Sequence, residues 1–538
     1  MSTSRHLEVP LPGQSRDRPI GTKIVHNVAS GIIRLIVIGP IPLLLTPFLL
    51  RHLGTQGFGA WAVFLSINSM TSLADVGVMG TLTKHVSQHY TLEDYTNLNR
   101  VVNAGILIFL LVAVLGVMAV NFAHNFLISA FFYNVHVPHD QLRFVIQLLT
   151  FAMALNLLTY PFSSVISGLQ RLDVVNLLWA VNAITTAIGA ALFVDLGFGI
   201  KGLVYALVLT SITVFLLTVG AARYLLPQLR FQPASVRWCD IRELSAFSSQ
   251  IYVVQMATAV YIHTEKLLLA HFAGLTPAGW YDIANDLAMK IRNLPALLIT
   301  PLMPASSELE ARRDRVRAEA LYYRAHKYLA VAGAGIVLVV TLFAHRFVEL
   351  WLGPGFNGTA RALIVLTGVQ IGNLAAAPAL LMLIGKGILK PAVRFAVVGM
   401  TGTLVVSTML IASFGFTGAL YGTSISVLGA AAYLVFLFHR ETGYAMRTLL
   451  RIYVKPVFLG LCLGGLSIHF IPIHKLSGPE MITACAAMGV VYTLVLVLLG
   501  YFNQSDLQVI ERFMPVPAFL RKSALFFREM KEGREFGS

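Results

Sequence analysis

Apolar stretches of about twenty residues recur along the whole of this 538-residue chain. That is the length a helix needs to cross the ~30 Å hydrocarbon core of a bilayer. Backbone N–H and C=O groups have no water to bond inside lipid, so each stretch must satisfy itself as a helix. The pattern predicts fourteen spans, at about 24–50, 57–83, 101–122, 144–168, 172–195, 200–222, 248–272, 281–305, 328–348, 362–384, 393–412, 417–438, 452–472 and 481–501. Composition agrees. Hydrophobic residues make up 57% and charged residues 12%, against about 25% charged in soluble domains, which leaves too little polar surface to cover the chain in water. The expected fold class is an all-α polytopic membrane protein. No connecting segment is long enough to be a domain; the longest are 123–143, 223–247 and 306–327.

The net charge of +15 would suggest nucleic acid in a soluble protein. Here the basic residues lie in short loops between apolar runs, so they read as topology and nucleic acid is not an expected partner. With the N-terminus inside, inner segments hold 30 of the 40 Lys and Arg, including Arg312, Arg313, Arg315, Arg317, Arg324 and Lys327 in one loop. Outer segments hold six: Arg51, Arg143, Lys201, Arg346, Arg361 and Lys475. That bias predicts both termini in the cytoplasm. Trp61, Trp280 and Trp351 fall at the outer boundary and Trp238 near the inner one, as interfacial anchors would. Residues 1–22 read as a disordered tail without a cleaved signal. The basic tail 502–538 contains Phe519, Phe526, Phe527 and Met530 among Arg521, Lys522 and Arg528, which suits either a helix on the inner leaflet or a solvated tail. Cys239, Cys462 and Cys485 imply no disulfide framework.

The sequence also echoes itself. LLRHLGTQGFGAW at 49–61 and LLAHFAGLTPAGW at 268–280 match at Leu, Leu, His and Trp with an offset of 219. LGFGIKGLVYA at 196–206 resembles FGFTGALYG at 414–422 if a two-residue gap is allowed. Both echoes fall on corresponding hairpins, spans 1–2 with 7–8 and spans 5–6 with 11–12. They predict two six-helix lobes in parallel repeat, residues 23–232 and 240–440, with two extra spans at 445–501.

Ionisable residues inside spans are costly, at least ~2.5 kcal/mol each, and mark function by default. Arg34 lies about 14 Å into span 1, and Lys290 and Arg292 about 14–16 Å into span 8, from the ~1.5 Å rise per residue. These three and Lys266 are the candidate cavity bases. Asp75, Glu265 and Asp286 are the candidates for coupling or ion pairing: Asp75 within reach of Arg34, Asp286 four residues before Lys290 on one helix face, and Glu265 beside Lys266, with Asp282 at the span boundary. Paired bases would be internal glue, whereas unpaired ones face an aqueous cavity; Arg292 has the least obvious partner. The proline pair in GPIP (39–42) and Pro47 predict a kink in span 1. Asn27, Asn156, Asn176, Asn182, Gln250, Gln255, Gln370 and Asn373 fall within spans, where amides join helices or offer donors to a sugar.

His136 and His139 lack a third ligand, so no metal is expected. Asn357-Gly-Thr is a glycosylation triplet that matters only in a secretory pathway. Direct ATP drive is excluded for want of a Walker motif, and no cofactor is expected.

PFLLRHLGTQGFGAWAVFLSI followed by SLADVGVMGTLTKHV at 72–86, ISGLQRLDVVN at 166–176 and GLTPAGWYDIANDL at 274–287 resemble the polysaccharide-transporter branch of the multidrug/oligosaccharidyl-lipid/polysaccharide flippase superfamily. The resemblance covers residues 22–440, and its motifs are structural turns rather than chemistry. It implies a non-enzymatic flippase of the bacterial inner membrane. Such a protein moves an undecaprenyl-diphosphate-linked oligosaccharide outward by alternating access, for surface polysaccharide biosynthesis. The implied partners are that lipid-linked substrate, membrane lipids and polysaccharide polymerase machinery. A lipid-II flippase and a multidrug exporter share the fold. An exporter of cationic drugs would carry cavity acids and twelve helices. A polymerase or ligase would place catalytic residues on a larger outer loop than any here.

Overall fold

A computed structural model describes residues 38–71, 76–132, 139–388, 390–502 and 506. Arg34, Asp75, His136, Asn27 and the C-terminal basic segment lie outside them. The described residues form sixteen α-helices, numbered in chain order. The first six are α1 (Pro40–Thr71), α2 (Val76–Thr91), α3 (Tyr95–Phe131), α4 (His139–Gly168), α5 (Leu172–Phe193) and α6 (Gly199–Leu225). Then come α7 (Trp238–Phe272), α8 (Leu275–Ala296), α9 (Leu302–Ala311), α10 (Arg315–Leu352), α11 (Asn357–Leu374), α12 (Ala377–Gly385), α13 (Lys390–Gly402), α14 (Thr408–Thr442), α15 (Met446–Phe470) and α16 (Gly478–Leu498).

Eight segments among the described residues are long and apolar enough to cross a membrane, so the chain is a multi-pass membrane protein. Two of them, Leu172–Leu225 and Lys390–Thr442, run 54 and 53 residues, far beyond one bilayer. Each is broken by a glycine of positive φ, Gly199 in the first and Gly415 in the second. The count of fourteen spans stays an expectation.

The repeat is visible in backbone angles. Gly54 (φ 68°, ψ 176°) and Gly274 (φ 93°, ψ 174°) turn the chain alike. Glu93 and Arg313 both have φ 56°. Each precedes an aspartate N-cap, Asp94 (φ −86°, ψ 74°) or Asp314 (φ −89°, ψ 81°), whose carboxylate accepts from the backbone N–H three residues on. These pairs stand 220 positions apart, one more than the sequence echo, because the turn after α7 carries an additional residue. Trp61 therefore corresponds to Tyr281, not to Trp280. Gly199 (φ 55°, ψ −133°) and Gly415 (φ 57°, ψ −129°) match at an offset of 216, which aligns FGIKGLVYA with FGFTGALYG without a gap. The aspartate turns were not legible as a repeat because they share one residue, Asp, and a conformation.

One core joins both halves at the end bearing Gly54 and Gly274: Leu49, Phe58, Phe64, Leu203, Leu275, Tyr281, Leu363 and Leu420 belong to it. At the opposite end, which bears Glu93 and Arg313, each half keeps its own core. Leu82, Leu98 and Ile166 cluster in one, and Leu302, Tyr322 and Phe438 in the other. Trp61 is buried in the shared core and Trp280 is half-buried against Gly358 and Phe416, so both pack against protein at this end. α7 bridges the halves, packing on α1, α2 and α3 and also on α8, α13 and α14. α15 and α16 attach to the second half through α10, around Leu338, Leu459 and Tyr492.

Candidate functional site

The turn at Gly274 folds α8 back along α7 and brings their charges together. Lys266 meets Asp282 at 2.5 Å, with side chains 9% and 18% exposed. Adjacent residues on a helix point about 100° apart, so neighbouring Glu265 faces elsewhere. It is 1% exposed, and its Oε1 accepts from Ser407 Oγ at 2.6 Å. Its Oε2 has no hydrogen-bond partner. Thr423 stands beside it and bonds the Tyr281 hydroxyl at 2.9 Å. Among the described residues no base pairs with Glu265. His263, one turn before Lys266, is partly buried with an unpartnered Nδ1. Ser407, Thr423, Tyr281 and His263 carry no signal in the sequence, being single polar residues on apolar helices.

Lys290 pairs with Asp286, one turn earlier, on the more exposed side of α8. Arg292 has a different setting. Its Nη1 donates to Gln370 Oε1 of α11 at 3.3 Å and approaches Met289 Sδ at 3.7 Å. Its Nε is buried without an acceptor. Among the described residues no carboxylate lies within 4 Å of it. Of the three described candidate bases, two are neutralised locally and Arg292 is not. A neutral amide offsets little of the desolvation of a half-buried guanidinium. Its five donors in a planar fork suit a phosphate or carboxylate. Gln370, one of the span amides, is 1% exposed and holds this side chain in place.

The sequence placed Arg292 about 14–16 Å into its span. The structure starts α8 six residues sooner, at Leu275, so Arg292 lies about 25 Å from that end. Within this added stretch Gly279 lets α8 press on α1. From Leu275 to Ala311 the path has 37 residues, and Arg292 sits near its midpoint. Among the described residues no group of three or more His, Cys, Asp or Glu could hold a metal ion.

Residues 24–310 match the family model described as polysaccharide biosynthesis protein. The chain belongs to the polysaccharide biosynthesis protein family. A relative of this family member, "Putative O-antigen transporter" of Shigella flexneri, is 18% identical over 400 residues, 73% of this chain and 92% of that one. Among solved structures the chain resembles the lipid II flippase MurJ in an inward closed conformation. The TM-score is 0.69 at 13% identity, over 89% of this chain and 99% of that one. It also resembles an inward-facing multidrug resistance transporter of the MATE family and MOP superfamily. There the TM-score is 0.62 at 15% identity, over 77% of this chain and 98% of that one. These structures share the fold of the family member described here.

Proposed function

We propose that this protein flips an undecaprenyl-diphosphate-linked oligosaccharide across the bacterial inner membrane for surface polysaccharide biosynthesis. The observation that carries this reading is Arg292, a half-buried guanidinium in the last turns of α8 with no acid partner among the described residues. A polyanionic head group supplies the missing charge, whereas a cationic drug would be repelled. Family membership, the likeness to a lipid II flippase and the O-antigen relative support the substrate class.

In this reading the lobes run 23–232 and 240–440, with 445–501 as accessory helices and both termini in the cytoplasm. The parted end, at Glu93 and Arg313, then opens to the cytoplasm and admits the substrate. Arg292, with Lys290 two residues before it, receives the diphosphate, and Arg34, expected from the sequence about 14 Å into span 1, is the further candidate base; Lys266, held by Asp282, orders the α7–α8 hairpin. Glu265, buried without a base among the described residues, is the acid through which an ion gradient resets the lobes. The chain catalyses no bond chemistry, and polysaccharide polymerase machinery takes its product on the far side.

The test is export of surface polysaccharide in cells whose only copy carries R292A, R34A or both. Membrane abundance and thermal melting of each variant are measured in parallel. The reading predicts loss of export from R292A with abundance kept. Normal export by a folded R292A/R34A double variant defeats it.

A further inference from the structure

The segment joining the two halves is clamped. Asn99 and Asn103, one turn apart on α3, grip it as a neighbouring strand would. Asn99 Nδ2 donates to Gln228 O at 3.0 Å and its Oδ1 accepts from Arg230 N at 2.8 Å. Asn103 Nδ2 donates to Arg230 O and its Oδ1 accepts from Gln232 N, both at 2.9 Å. Between them Arg100 reaches Asp240 at 2.9 Å, and Asp240, 5% exposed, also accepts from Arg237 N at 3.0 Å. The clamp holds 228–240 to α3 with defined geometry instead of leaving a loose loop.

The outward side of this segment has an unusual composition. Three arginine–aromatic dyads occur seven residues apart: Arg223-Tyr224 at the end of α6, Arg230-Phe231 between the clamp points, and Arg237-Trp238 at the start of α7. Tyr224, Phe231 and Trp238 are 85%, 62% and 77% exposed, and all three arginines are exposed. Asp240 is consumed by Arg100. Among the described residues none of the three guanidinium groups has a carboxylate within 4 Å; Asp240 meets Arg237 only at its backbone N–H.

We propose that this strap is a docking site for anionic phospholipid headgroups. Arg223, Arg230 and Arg237 take the phosphates, and Tyr224, Phe231 and Trp238 enter the boundary between headgroups and acyl chains. Guanidinium forks match phosphate geometry, and aromatic rings with polar edges settle at that depth. The segment leaves and re-enters the bundle within about fifteen residues, so it stays at the membrane surface. Each arginine near an anionic surface contributes roughly fivefold to binding at low salt, and the effect falls with ionic strength. Because the clamp ties the strap to the first half while α7 runs on into the second, bound lipid bears on the connection between them.

The experiment places the full chain in vesicles of phosphatidylcholine with and without phosphatidylglycerol. It reads quenching of Trp238 by brominated phosphatidylglycerol and by brominated phosphatidylcholine, as the difference between wild type and W238F. The wild type is expected to prefer the anionic lipid, with the preference shrinking at high salt. R223Q/R230Q/R237Q is expected to lower that preference by on the order of tenfold or more. Equal quenching by the two lipids in the wild type, a comparison that needs no arginine variant, overturns the proposal. So does an unchanged preference in the triple variant. Displacement of the lipid by excess inorganic diphosphate also overturns it, because the strap would then be a site for soluble or substrate diphosphate. The measurement needs no transport assay, so its outcome is independent of the proposed flippase activity.

Discussion

A Cβ at Gly59 would lie 1.9 Å from the carbonyl oxygen of Leu275. The contact is reciprocal. A Cβ at Gly279 would lie 3.2 Å from Gly59 Cα and 3.5 Å from Thr55 O. Thr55 and Leu275, like Gly59 and Gly279, stand 220 positions apart, so a pseudo-twofold axis passes through the seam of the two halves. This is the parallel repeat expressed as a physical contact, and it closes the Gly54 end.

G59A is therefore expected to push the seam apart, since backbone cannot yield as a flexible side chain does; overpacking of this kind costs about 1–3 kcal/mol. In a chain otherwise lacking cysteine, T55C should become more reactive to a membrane-impermeant maleimide when G59A is added. G80A, where a Cβ meets nothing within 4 Å, should leave it unchanged. Equal reactivity in both would dissociate the glycine contact from closure.

Lys266 and Asp282 form a mostly buried pair. Removing only the acid leaves a stranded charge, which costs about 3–5 kcal/mol, while replacing both with apolar residues is close to neutral. D282N should lower the melting temperature of the solubilised protein markedly, and K266M/D282L should recover most of it. A D282N protein that melts like wild type would show the pair is not buried in the membrane.

Gln370 holds Arg292 through one neutral acceptor. Q370L should lower stability by about 1.5–3 kcal/mol, the range for a hydrogen bond to a charged group, and retain partial export. R292K keeps the charge and loses the fork, so it should impair export while melting near wild type. If R292K exports normally, bidentate recognition is not required.

Asp94, in the turn outside the membrane spans, has its carboxyl held below the ordinary value of 3.8, first by the Asn97 backbone N–H and then by the Asn97 side chain. A depressed folded value means the stabilisation is fully present above the unfolded value and is lost as pH falls through the folded one. Amide exchange at Asn97 should stay slow near neutral pH and, corrected for its intrinsic rate, quicken below pH 3.8. D94A should remove the pH dependence.

How much of this was legible follows from what each feature depends on. Apolar length, basic-loop bias and the i, i+4 spacing of Asp286 and Lys290 are one-dimensional properties, and the helical fold and that ion pair follow from them. The repeat was legible from Leu, Leu, His and Trp, but the pairing of Gly54 with Gly274 was not, because the sequence offset of 219 sets Gly54 against Ala273 and only the backbone angles show the one-residue shift. Lys266 was read beside Glu265, its neighbour in sequence; the α7–α8 hairpin gave it Asp282 instead.

The sequence by itself determined a multi-pass helical membrane protein with a repeated turn and a few costly charges, because burial in lipid acts on each segment separately. Tertiary structure alone decided that Gly59 meets Leu275, that Glu265 sits with Ser407 and, among the described residues, without a base, and that Arg292 meets Gln370 and no described carboxylate. Those facts concern pairs on different helices. Side-chain neutralisation and close approach are set by distances of a few ångströms between segments, and these distances exist only once the helices pack.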